Sequence, residues 1–217
     1  MTKKPLAAAI SVAMCATAAP AAAHPHVFVD AGIDFVFGDG RVLQALEVTW
    51  RLDPFVSLYM ITALGLVPDA EGRLDDQARG LLARDFDAWP EGFEGFARLS
   101  IDGKATALDA PAGLAVDLVD GRLQVSFTRR LEAPVALQGR SAEVMAYEAT
   151  YYYAVTMPDL PALAGPAEGC TARAQPFEPG AELASLQTTL FQLAREETPD
   201  IPNVGALFAD RAIVSCD

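Results

Sequence analysis

A mainly β, α+β domain is the fold class this sequence predicts: an antiparallel β-sandwich-like body with an inserted helical hairpin and a C-terminal helix plus closing strand. Three observations predict it. Alternating or apolar runs are separated by short turn signals such as Gly38-Asp39-Gly40 and Asp120-Gly121. One stretch, about 53–90, changes to helical spacing. About 194 residues remain after an N-terminal leader and 52% of the chain is hydrophobic, enough to bury a good core in one domain.

Residues 1–23 read as a signal peptide: basic Lys3 and Lys4, an apolar run from Leu6 to about Ala18, and a small-residue site ending at Ala21-Ala22-Ala23. The apolar run is too short to span a bilayer comfortably. Cys15 lies inside it, preceded by Val12-Ala13-Met14, a poor match to an acylation site. The expected product is an exported, periplasmic protein spanning 24–217 that is soluble and not membrane-embedded.

The mature chain opens with the only two histidines, His24-Pro25-His26, and runs into a strand, Val27 to Phe37. Gly38-Asp39-Gly40 turns it into a second strand, Val42 to Arg51. Asp53-Pro54 then starts a helix whose apolar stripe reads Phe55, Leu58, Tyr59, Thr62 and Leu66. A polar loop, Pro68 to Asp76, leads to a second helix of about Gln77 to Ala88. Strands follow at about Phe96–Ile101, Leu114–Val119, Leu123–Thr128 and Ala142–Val155. Met157 to Pro166 is a Pro-rich loop; a strand near Cys170–Ala174, a helix of about Ala181–Arg195 and a last strand, Arg211–Cys216, complete the order.

Charge narrows the partners. The formal net charge is -13, and loss of Lys3 and Lys4 makes the mature chain more acidic still, so nucleic acid and other polyanions are not expected partners. Beyond Cys15 two cysteines remain, Cys170 and Cys216. A disulfide between them is the simplest reading; closing a loop of about 46 residues contributes about 3–4 kcal/mol in the chain-entropy model. Thiolate metal ligation is the competing reading, weakened by the absence of any C-x-x-C pair and by the oxidising compartment.

Cleavage after Ala23 makes His24 the N-terminus, offering a metal its α-amine and imidazole together, with the His26 imidazole two residues on. Pro25 has no amide hydrogen, which blocks the mode that uses deprotonated backbone amides ahead of a third-position histidine. What remains is a histidine brace. Three nitrogens with open positions suit copper, nickel, cobalt or zinc better than magnesium or calcium. Free imidazole titrates near 6.5 and an α-amine near 7.7–8.0, so affinity should fall steeply below about pH 6. Asp30, about 13 Å along the strand from His26, and Glu148 are candidate fourth ligands or hydrogen-bond partners of an imidazole N–H. Cleavage after Ala19 or Ala22 removes the amine from the chelate and leaves the histidines an ordinary surface pair. Among Tyr151, Tyr152 and Tyr153 at least one belongs in the core, and Trp50 and Trp89 are expected to pack.

The block His24-Pro25-His26-Val27-Phe28-Val29-Asp30-Ala31, with Thr49-Trp50, Tyr147 to Tyr152, Gly169-Cys170 and Val214-Ser215-Cys216, resembles the DUF1007 family of exported bacterial proteins over essentially the whole mature chain. That resemblance implies a periplasmic component linked to transition-metal transport beside a membrane metal transporter or permease, with no established reaction. Many members carry an EF-hand-like acidic loop where Val67 to Ala78 stands here. With Gly72 at loop position 6, Val67 and Ala78 occupy positions 1 and 12, where carboxylates are needed, so calcium is not expected.

Three functions follow: a metal carrier or buffer, an oxidative copper enzyme, or a metal-independent envelope interaction domain. Hydrolysis by a Ser-His-Asp triad is disfavoured, because no G-x-S-x-G element exists and both histidines are terminal. No catalytic residue is assigned.

Overall fold

Sequential hairpins build much of the molecule, and the chain between them passes repeatedly from one sheet to the other. The computed structural model describes residues 25–87, 93–193 and 197–217. The leader, His24, Trp89 and Arg195 lie outside the described residues.

β1 (Val27–Gly38) and β2 (Val42–Leu52) form the expected antiparallel hairpin, with Phe35 opposite Leu46 and Ala31 opposite Trp50. Along β1 the odd positions from Val27 to Phe37 are buried and the even ones face outward, a clean period of two. α1 (Pro54–Ala63) follows, capped by Asp53, whose carboxylate accepts from the N–H groups of Phe55 and Val56. α2 (Asp76–Phe86) is capped in the same way by Asp75. Next come β3 (Ala97–Ile101), β4 (Lys104–Thr106), β5 (Ala112–Val119), β6 (Arg122–Ala136) and β7 (Ser141–Ala146). β8 (Tyr153–Thr156), β9 (Leu163–Ala164), β10 (Cys170–Gln175), α3 (Ala181–Leu190), a 3-10 turn (Val204–Phe208) and β11 (Asp210–Cys216) complete the chain.

Two sheets result. One has the order β5-β6-β2-β1-β8, with β9 also on β1; the other has the order β10-β11-β7-β3-β4. Their buried faces, with Phe35, Val48, Val125 and Trp50 on one side and Leu99, Val144 and Val214 on the other, join in one apolar core. The sandwich-like class is therefore as expected, with one difference in pairing. β8 and β9 lie parallel to β1, so that sheet is mixed.

Four element readings are corrected. The stretch Ala142–Val155 is two strands, β7 and β8, belonging to different sheets. The strand predicted at Leu123–Thr128 continues to Ala136. α3 ends at Leu190, with Phe191 as its C-cap, short of the expected end. The stripe of α1 is inverted: Ser57 and Ile61 are its buried residues, while Phe55 is 79%, Leu58 63% and Tyr59 66% exposed. Ser57 decides this. Its hydroxyl donates to the Asp53 carbonyl (2.7 Å) and accepts from the Leu123 N–H (2.9 Å), which anchors that face to the start of β6.

Cys170 and Cys216 form the expected disulfide, joining residues that are direct partners across β10 and β11. In the acidic loop, Asp69 and Glu71 both hold Arg73, and Asp69 also accepts from the backbone N–H groups of Glu71 and Arg73. Those bonds, the Arg73 backbone N–H first and then its side chain, hold the Asp69 carboxyl below its ordinary range. Asp75 is spent on capping α2. The turn is closed by its own arginine.

Candidate functional site: the start of β1 and the tyrosine crossover

β7 leaves its sheet at Ala146, and the chain Tyr147–Tyr152 crosses to the other sheet, which it enters as β8 beside the first residues of β1. Glu148 organises this crossing. Its carboxylate accepts from the Thr150 N–H (2.9 Å), the Thr150 hydroxyl (2.8 Å) and the Tyr152 N–H (2.8 Å). Between those donors Tyr151 takes a positive φ of 61°, a conformation that costs a bulky residue of order 1 kcal/mol or more. Tyr151 is held there by its ring against Phe208 (4.6 Å between centroids) and by the Gln187 side chain, which donates to its hydroxyl at 2.7 Å.

The crossing delivers Tyr152 to His26. The His26 N–H donates to the Tyr152 carbonyl at 2.9 Å, and the two rings lie 4.6 Å apart between centroids, tilted by 36°. The His26 Nε2 is shielded from solvent. Glu148 and His26 are thus fastened to the same residue from its two backbone ends. A carboxylate offers about four acceptor positions; Glu148 spends three of them on the turn, leaving one on Oε1.

Asp30 is placed elsewhere. Its carboxylate receives Arg122 Nη1 at 2.6 Å and the Thr156 hydroxyl at 3.3 Å. The same guanidinium donates to the carbonyls of Leu52 (2.7 Å) and Arg51 (2.8 Å), so Arg122 sews β6 to the ends of β1 and β2. The structure therefore ties His26 and Glu148 to the two backbone ends of Tyr152 and gives Asp30 to a structural arginine. Among the described residues no three His, Cys, Asp or Glu side chains converge as a metal-binding group. Since His24 lies outside them, His26 is the described member of the predicted nitrogen set.

Behind the tyrosines lies a cavity of about 580 Å³, walled by Val27, Trp50, Phe96, Tyr152 and Tyr153 and bordered by Glu148. Trp50 packs as expected, stacked on Phe96 (4.8 Å) and edge-on to Phe127 (4.8 Å). Burial pushes the Tyr153 phenol up, and Tyr152 and Glu148 push it the same way. This is an apolar floor under a polar, acidic edge.

Two contributors escaped the sequence reading. Arg122 carries no signal beyond following the Asp120-Gly121 turn. Gly205 is in contact with the crossover: a Cβ there would lie 1.8 Å from the Glu148 carbonyl oxygen, and its N–H donates to the Ala149 carbonyl at 3.1 Å.

The model of a family described as "Protein of unknown function (DUF1007)" matches residues 9–216. Comparison with curated proteins finds no match. Among solved structures, an AChBP from Bulinus truncatus is 11% identical, with 88% of this chain and 85% of that one covered and a TM-score of 0.39. Acetylcholine-binding protein type 1 from Biomphalaria glabrata is 11% identical, with 88% and 83% covered and a TM-score of 0.33. Likeness at this level says nothing of what this chain binds.

Proposed function

Since this chain belongs to the DUF1007 family of proteins of unknown function, we propose from its own residues that it is a periplasmic metal carrier, holding copper, nickel, cobalt or zinc as cargo for a membrane metal transporter. The observation that carries this reading is the seating of His26. Its backbone is tied to Tyr152, its ring lies tilted against that residue's ring, and Glu148 holds the far side of the same turn. An imidazole fixed in this way loses less freedom on binding an ion than one on a loose arm.

His24, once N-terminal, adds an amine and an imidazole from two residues away. Glu148, with one acceptor position left, fits as an oxygen ligand or as the acceptor of an imidazole N–H. Asp30 fits less well, because Arg122 already neutralises it. The cross-strand disulfide fits an oxidising compartment. Among the described residues no helix is long and apolar enough to cross a membrane, which fits a partner that supplies the membrane part.

The test is a competition titration with Cu(II), Ni(II), Co(II) and Zn(II) on the chain beginning at His24. Alongside it are run the same chain with one extra N-terminal residue and the His26→Ala variant. Each change should weaken the preferred ion at least tenfold. Equal affinity in the extended chain would sink the brace.

A further inference from the structure

α1 and the turn after it, residues 54–67, contain no charged side chain. A helix apolar all round belongs in an interior, yet here only one side is covered. Ser57 and Ile61 face the core, with Val56 and Met60 packed beside them, while Phe55, Leu58 and Tyr59 are exposed. Phe28, 55% exposed, extends this face: its N–H donates to the Asp53 carboxylate and its carbonyl accepts from the Asp53 N–H, which sets its ring at the start of the helix.

We propose that this face, Phe28 with Phe55, Leu58 and Tyr59, docks into an apolar, basic-rimmed groove on a membrane-embedded metal transporter. The transporter's identity rests on the carrier reading above. Three features select that occupant. His26 stands two residues before Phe28, no more than about 7 Å away along the chain, so whatever covers the patch meets the candidate ion site. The patch is framed by Asp53 before it and by Asp69, Glu71, Asp75 and Asp76 after it; Arg73 and Arg79 pair with three of these acids, and the frame keeps an excess of negative charge on a chain of net charge -13. Lys and Arg around the groove complement that frame, whereas a second copy or an anionic lipid surface brings like charge against it. Four exposed side chains amount to a few hundred Å² of apolar surface, below the roughly 800 Å² per partner of a stable complex. That suits a contact made and broken at each delivery.

The experiment places a photoreactive benzophenone side chain at Leu58, and as a control at exposed Thr171 on β10, in the full chain produced in its own cells. Adducts are identified by mass spectrometry. The expected result is an adduct from position 58 to an integral membrane transport protein, weakened by high salt and reduced at least tenfold by Phe55→Ser, with the Thr171 control silent. An adduct to a second copy of this chain, to phospholipid or to any other protein overturns the proposal, as does no adduct above the control. Metal titration of the Phe55→Ser chain keeps the two readings apart. Full affinity with a lost adduct assigns the patch to docking, while an adduct formed by a chain that takes up no metal leaves docking standing and removes the carrier reading.

Discussion

Arg129 is 4% exposed on the inward face of β6, where a sandwich expects an aliphatic side chain. It is kept there by carbonyls: its guanidinium donates to the backbone oxygens of Glu94, Leu108 and Asp109. Burial lowers its pKa, although not enough to matter for a guanidinium. Truncation leaves three acceptors buried, so Arg129→Ala should cost about 3 kcal/mol, measured by denaturant unfolding. Gly205 is another residue whose side chain cannot change freely. Gly205→Ala forces the Glu148 carbonyl to move and should destabilise by about 2 kcal/mol while weakening metal uptake at His26; unchanged thermal stability would mean the crossover is looser than its contacts. His26→Ala makes the opposite pattern. It should lose metal, while the ring contact with Tyr152 that goes with it is worth about 1 kcal/mol or less, so the apo transition should shift little.

At the scale of the element, α1 separates anchoring from display. Ser57→Ala orphans the Leu123 N–H and removes the hydroxyl bond to Asp53, and should cost about 1–2 kcal/mol. Leu58→Ser, one residue away on the exposed face, should stay within about 0.5 kcal/mol of the parent. Equal losses in the two variants, read by thermal denaturation, would contradict the inverted stripe. The inversion has a simple cause. When apolar residues occupy all sides of a helix, periodicity no longer singles out one face, and the choice falls to the polar residue with a buried partner. The tyrosine crossover is a second such case: its β-rich composition reads as a continuation of β7, while Glu148 accepting from Thr150 and Tyr152 turns it out of the sheet.

Across the whole molecule, the long-range ties converge on the sheet ends. Cys170–Cys216 joins β10 to β11, the Asp217 carbonyl accepts from Arg41, and buried Asp210 accepts from the N–H groups of Met157 and Phe177. Replacing both cysteines by alanine should therefore lower stability by about 3–4 kcal/mol and free the last strand, seen as faster amide exchange in β11 than in β2. Because β11 lies between β10 and β7, while His26 sits on the other sheet, metal affinity should change little in that variant.

What the sequence determined by itself was local: the period-two burial of β1, the hairpin turns, the helix start at Asp53-Pro54 and the two cysteines of the disulfide. These depend on side-chain alternation, backbone conformation and nearby hydrogen bonds, which neighbours along the chain carry. Within the candidate site, Glu148 and His26 were legible as residue types. The tertiary structure alone decided that both meet at Tyr152, that Asp30 belongs to Arg122, that β8 joins β1 in parallel, and which side of α1 stays in water. Each of those is a choice between partners far apart in sequence. It is settled by which pairing satisfies buried polar groups while closing the core, a comparison no local pattern contains.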